Sequence, residues 1–130
     1  MFLYEVAHRM RLVVLMVEVE QPEGISARKL ILEAARHNVI SAYNCDDAAE
    51  LLRRFPNVDL AVVHTELIQS SCQETIRQLK SLRPDLAIIA ISPVEHQRIE
   101  GVDYVLSSHD PQILLKLLEE RFDGKGLDES

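Results

Sequence analysis

Four strand-length apolar runs in this chain end in polar residues. Glu18 and Glu20 follow the run 12–17, His64 follows 59–63, Ser92 follows 86–91 and Ser107 follows 102–106. Carboxylate oxygens and an imidazole nitrogen are donors for a divalent cation, and a serine hydroxyl can donate to a phosphoryl oxygen. Imidazole suits zinc better than magnesium, however, and Glu20 with His64 alone is a poor set for a tight metal site. The imidazole can instead take a phosphoryl group on a ring nitrogen, but the sequence shows no lysine or arginine beside it to hold one. A histidine hydrogen-bonded to backbone at a strand end is the plainer reading. Glu18 and Glu20 likewise read as solvated acids of a strand-to-helix loop. Ser92, with Pro93 and Glu95 behind it, reads as a helix cap.

Other reactive residue types do not gather. Cys45 and Cys72 lack metal-ligand spacing and are too few for a disulfide scaffold. They fall in the first turns of expected helices, where the helix dipole lowers a thiol pKa, yet structural or idle reduced thiols are the simpler expectation. His37, His96 and His109 are scattered. Ser107-Ser108-His109-Asp110 holds the residue types of a hydrolase triad, but side chains adjacent in sequence are the wrong way to build one.

The elements that must position these groups are legible from periodicity. The runs 12–17, 59–63, 86–91 and 102–106, with a weaker one at 39–43, are nearly continuously apolar and rich in β-branched residues, as in a parallel sheet covered on both faces. Helical patterns lie between them. Ser26 is placed to cap a helix whose stripe is Ala27, Leu30, Ile31, Ala34 and Ala35. Asn44 precedes Asp46, Asp47 and the apolar set Ala48, Leu51 and Leu52. Ser71-Cys-Gln-Glu74 is a capping box ahead of Ile76, Leu79 and Leu82, with Pro84 beyond. Ser92-Pro93 opens a helix that Gly101 must keep short, and Asp110-Pro111 opens a leucine-rich one that Gly124 stops. Five strand-helix pairs predict an α/β, doubly wound, flavodoxin-like parallel sheet of order 2-1-3-4-5. Its functional crevice lies at the C-terminal strand ends. Residues 1–10 read as a poorly patterned leader, 11–124 as the domain and 125–130 as a flexible tail.

Composition narrows the classes of function. A chain of 130 residues with 47% hydrophobic content can bury a core. A formal charge of -7, with Arg9, Arg11, Arg53 and Arg54 only in pairs, disfavours nucleic acid and anionic membrane as partners. No apolar run approaches membrane-spanning length and the first ten residues lack a signal-peptide pattern, so a cytoplasmic protein is expected.

Several segments in order resemble the receiver (CheY-like) domain of bacterial response regulators. Asn44-Cys-Asp-Asp-Ala-Ala-Glu-Leu-Leu resembles the start of the receiver's second helix, and Pro56-Asn-Val-Asp-Leu-Ala-Val-Val the approach to its acceptor strand. Leu82-Arg-Pro-Asp-Leu-Ala-Ile-Ile-Ala-Ile-Ser is similar to its fourth strand. Gly101-Val-Asp-Tyr-Val-Leu, followed by Asp110-Pro111, is similar to its closing unit. The resemblance implies a crevice with an acceptor aspartate, two acids holding Mg²⁺, a serine or threonine, and a lysine. Anchored on Pro22, the acidic pair falls on Val19 and Glu20; a one-residue bulge offers Glu18 with Glu20 instead. The acceptor position is His64, the hydroxyl Ser92 and the lysine Ser107.

The resemblance therefore implies a degenerate receiver, a stand-alone signalling module of two-component or phosphorelay type that acts by protein–protein contact. It is expected not to be phosphorylated on aspartate and to have no catalytic activity, metal or cofactor. Its expected partner is a kinase, regulator or effector, or a second copy in a homodimer. With eight residues after Phe122, output is expected through another polypeptide. Tyr104, near the aromatic that receivers rotate, is a partner-surface candidate, with a plain half-buried strand residue as the simpler reading. The alternatives are a small-ligand or anion-binding regulator using the same crevice, and a phosphohistidine carrier at His64.

Overall fold

Every residue of β1 (Val13–Val17) is apolar because both of its faces are covered. The structure, a computed structural model, describes residues 11–19, 26–67, 71–94, 98–107 and 109–123; the expected leader, the tail, Glu20, Pro22, His96, Ser108 and Gly124 lie outside them. The remaining strands are β2 (Asn38–Ala42), β3 (Leu60–His64), β4 (Ala87–Ser92) and β5 (Tyr104–Ser107). All pair in parallel, in the order β2-β1-β3-β4-β5. The helices are α1 (Ala27–Ala34), α2 (Cys45–Arg54), α3 (Cys72–Leu82) and α4 (Gln112–Leu118), the last running into a π-helical turn, Glu119–Asp123. This is the expected flavodoxin-like sheet.

Strand alternation divides the core in two. Leu15, Val17, Ala61, Val63 and Ile88 pack with Ala48 and Leu52 of α2 and Ile76 and Leu79 of α3. Val14, Met16, Leu60, Val62, Ile89 and Ile91 pack with Leu32 of α1 and Leu114 and Leu118 of α4. Three helices start as their sequences dictate. The side chains of Ser26, Asn44 and Ser71 accept from the backbone N–H of Lys29, Asp47 and Glu74, three residues on in each case.

One of the expectations needs correction. The stripe expected on α1 faces outward: Ala27, Ala34 and Ala35 are exposed and Leu30 is 51% exposed, while Leu32 is the fully buried residue. Apolar residues stand on most sides of this eight-residue helix, so periodicity could not select its face. The face chosen carries Arg28 one turn before Leu32, which matters below. The centre of the short helix expected after β4, residues 95–97, lies outside the described residues; 93–94 and 98–103 on either side of it form turns and irregular backbone. Ser92 does accept a backbone N–H, but from Val94, two residues on. That closes a tight turn, and Gly101 turns the chain at φ +88° further on.

One device recurs at the opposite ends of the strands. Asp59, just before β3, donates its N–H to the Val13 carbonyl at 2.8 Å, and its carboxylate accepts the Val13 N–H at 2.7 Å. Asp103, just before β5, does the same with Ile88, at 2.8 Å for both bonds. In both cases the sequence is Val-Asp ahead of the strand. The side chain substitutes for a ladder carbonyl that the entering chain cannot yet supply, and so fixes the register of its neighbour. Asp59→Ala and Asp103→Ala are each expected to cost about 1–2 kcal/mol by urea unfolding at neutral pH. Asp→Asn, which keeps one acceptor oxygen, should recover at least half of that loss.

Candidate functional site

The C-terminal ends of β1 and β3 deliver Glu18 and His64 side by side. Val17 is the register partner of Val63, and Glu18 continues β1 by donating its N–H to the Ala42 carbonyl at 3.0 Å. His64 closes β3 opposite Ile91 of β4. By alternation both polar side chains fall on the face covered by α1. Glu18 is 6% exposed, contrary to its reading as a solvated loop acid. The His64 ring is 18% exposed on its side chain, with Nε2 3.8 Å from Glu18 Oε2.

The state of the ring follows from its partners. Nδ1 lies 3.3 Å from the Val17 carbonyl oxygen, which can only accept, so Nδ1 carries the hydrogen. In the neutral ring Nε2 then holds the lone pair. Burial, reinforced by the charge on Arg28, lowers the His64 pKa from 6.5 to about 4, although the bond to Val17 works the other way. Burial pushes the Glu18 carboxyl upward, opposed by a hydrogen bond from Ser26 and by the charges of Arg28 and Lys29. The 3.8 Å approach is thus no ion pair at neutral pH, and it is too long for a hydrogen bond.

Arg28 is the residue that sequence reasoning missed. From the buried side of α1 its Nη2 reaches the carbonyl of Ser107 at 3.4 Å. A cation therefore stands at the end of β5, although the residue there is a serine. Its charge faces Glu18 and Asp110, and burial lowers its pKa. Nε is buried and, among the described residues, has no hydrogen-bond partner. The expectation of a crevice without a cation is corrected accordingly. A signal was present: Arg28 and Leu32 are four apart on one helix face, and an arginine stem can lie along the core while its head reaches the edge.

The other expected positions are less engaged. Ser92 is 1% exposed, and its hydroxyl bonds within its own turn, accepting the Val94 N–H and donating to the Val94 carbonyl. Ser107 gives its carbonyl to Arg28 and its hydroxyl oxygen to the His109 N–H. Tyr104 is half-buried in β5 and packs on the α1–α4 side of the core. Glu20 lies outside the described residues. Cys45 and Cys72 open α2 and α3, but burial pushes both thiols upward, against the dipole effect expected for them. No group of three or more metal-binding side chains occurs among the described residues.

Comparison of the sequence with protein-family models and with curated proteins finds no match. Solved structures do match. A response regulator receiver domain from Clostridium thermocellum superposes with a TM-score of 0.74 at 16% identity, over 89% of this chain and 98% of that one. A CheY-like receiver domain from Methanospirillum hungatei JF-1 gives 0.70 at 20% identity, over 93% and 100%. The CheX–CheY–BeF3–Mg²⁺ complex from Borrelia burgdorferi gives 0.72 at 16% identity, over 85% and 89%. The chain has the CheY-like, flavodoxin-like α/β fold of receiver domains, with His64 where β3 ends in the crevice.

Proposed function

We propose that this chain is a receiver-type module of two-component signalling that works by protein–protein contact and is not switched by aspartyl phosphorylation. The observation that carries this reading is the end of β3. There the fold presents His64, its Nδ1 bound to the Val17 carbonyl, at the position where the receiver resemblance puts the acceptor carboxylate. Among the described residues the acid beside it is Glu18, buried and 3.8 Å from the ring, and the β5 position of the receiver lysine is Ser107.

The contact surface proposed is the connection between β4 and β5. It borders a groove of about 540 Å³ lined by Arg98, Ile99, Glu100, Tyr104 and Val105 among others. Gln73 of α3 ties this connection to the helix by donating to the Glu100 carbonyl at 3.0 Å. One of the similar structures is CheY in complex with a second protein, CheX. A kinase, regulator or effector, or a second copy of the chain, is the class of partner proposed, in the cytoplasm and without enzymatic activity of its own. The charge of -7 supports a protein partner over nucleic acid or anionic lipid.

Incubation with acetyl phosphate and Mg²⁺, followed by intact mass and hydroxylamine treatment, tests the reading. No hydroxylamine-labile phosphoryl adduct is expected. Such an adduct on any aspartate or glutamate would overturn it.

A further inference from the structure

We infer that His64 Nε2 is a phosphoryl acceptor and that Arg28 is the cation that holds the transferred group. The inference goes beyond the reading above and needs neither an aspartyl acceptor nor a known partner.

Three features of the crevice combine. The ring is anchored through Nδ1 on a backbone carbonyl, which leaves the in-plane lone pair of Nε2 as its only open function. A neutral imidazole presenting a lone pair does not bind an anion, but it can attack phosphorus. The depressed pKa keeps that lone pair free at neutral pH. Arg28 supplies the second requirement. Its Nη2 makes one long bond at 3.4 Å, and its Nε has no partner among the described residues. A guanidinium with unused donors at a strand-end crevice is suited to phosphoryl oxygens. The third feature is Glu18, whose charge is answered by Ser26, Arg28 and Lys29, so the site does not confront an incoming phosphoryl group with an unopposed carboxylate.

With phosphoramidate as donor the step balances. The Nε2 lone pair forms the new N–P bond as the donor's P–N bond breaks, and its electron pair leaves on ammonia. Nδ1 keeps its hydrogen, and the positive charge gained by the ring is stabilised by the Val17 carbonyl. Arg28 faces the phosphoryl oxygens as charge develops on them.

The test is labelling of the full chain with phosphoramidate, with peptide mapping and lability to acid and to alkali. An acid-labile, alkali-stable phosphoryl group on His64 is expected, absent in His64→Gln. Arg28→Gln is expected to label about tenfold more slowly, while Arg28→Lys, which keeps the charge, should recover part of the rate. Both variants are checked for native far-UV CD. Absence of label, label confined to the exposed His109, or an Arg28→Gln rate equal to wild type would each overturn the inference. An alkali-labile label on an acidic residue would overturn it together with the reading above, whereas simple absence of label leaves that reading standing.

Discussion

Between pH 7 and pH 4 the folded chain is expected to lose about 3 kcal/mol of stability through His64 alone, and His64→Gln should abolish that component. Above 6.5 the ring is neutral in both the folded and the unfolded states. Below that value the unfolded chain binds a proton that the native ring refuses until about pH 4. The unfolded state therefore gains protons first, and stability falls as pH drops through this window. The interval from 6.5 to about 4, at about 1.4 kcal/mol per pH unit, gives the magnitude. Glu18 acts in the opposite sense. Its raised carboxyl pKa contributes stability that is present below its unfolded value and lost as pH rises through the folded one. Comparing His64→Gln with the parent, both carrying Glu18→Gln, removes that opposing slope. Urea unfolding at pH 7, 5.5 and 4.5 provides the measurement. Parallel pH profiles for the two proteins would show that the ring is protonated normally and is not held neutral by the crevice.

The same residue shows where sequence reading succeeds and where it stops. The end of β3 was legible because one polar residue closes a continuously apolar run, and a strand covered on both faces has no polar position until it leaves the sheet. The caps at Ser26, Asn44 and Ser71 were legible to the individual hydrogen bond, because capping depends on neighbours three residues away. The helix expected after β4 rested on serine, proline and an acid in order, and its centre, 95–97, lies outside the described residues. What the sequence did not reveal is that Ser92 is still the last residue of a buried strand, with its hydroxyl in a two-residue turn to Val94. Arg28 was missed for a different reason. Its importance depends on which face of α1 meets the sheet, and that is decided by packing against Leu114, Leu118 and the sheet rather than by α1 itself. An inventory by strand-end position then finds a serine where the lysine was sought, and overlooks a cation arriving from 79 residues earlier in the chain.

Gly101→Ala is expected to destabilise the chain by about 2 kcal/mol, although the residue is exposed and belongs to no element. Its φ of +88° is a conformation that side-chain-bearing residues rarely adopt, and an added Cβ would stand 2.9 Å from Cγ2 of Ile76. Ile76 is 1% exposed, on the face of α3 that packs against the sheet, so it cannot yield without disturbing the core. Backbone strain and steric conflict can be separated. Ile76→Ala removes the opposing methyl at a cost of about 3 kcal/mol in its own right, and it leaves the backbone strain untouched. If the conflict is real, the double variant should cost about 1 kcal/mol less than the sum of the singles. Strict additivity in urea unfolding would mean that the cost of Gly101→Ala is backbone strain alone. Coupling would show instead that the connection between β4 and β5 is seated directly on α3. A surface held in that way has little freedom to rearrange, as expected of one that presents a constant face to its partner rather than one remade by a switch.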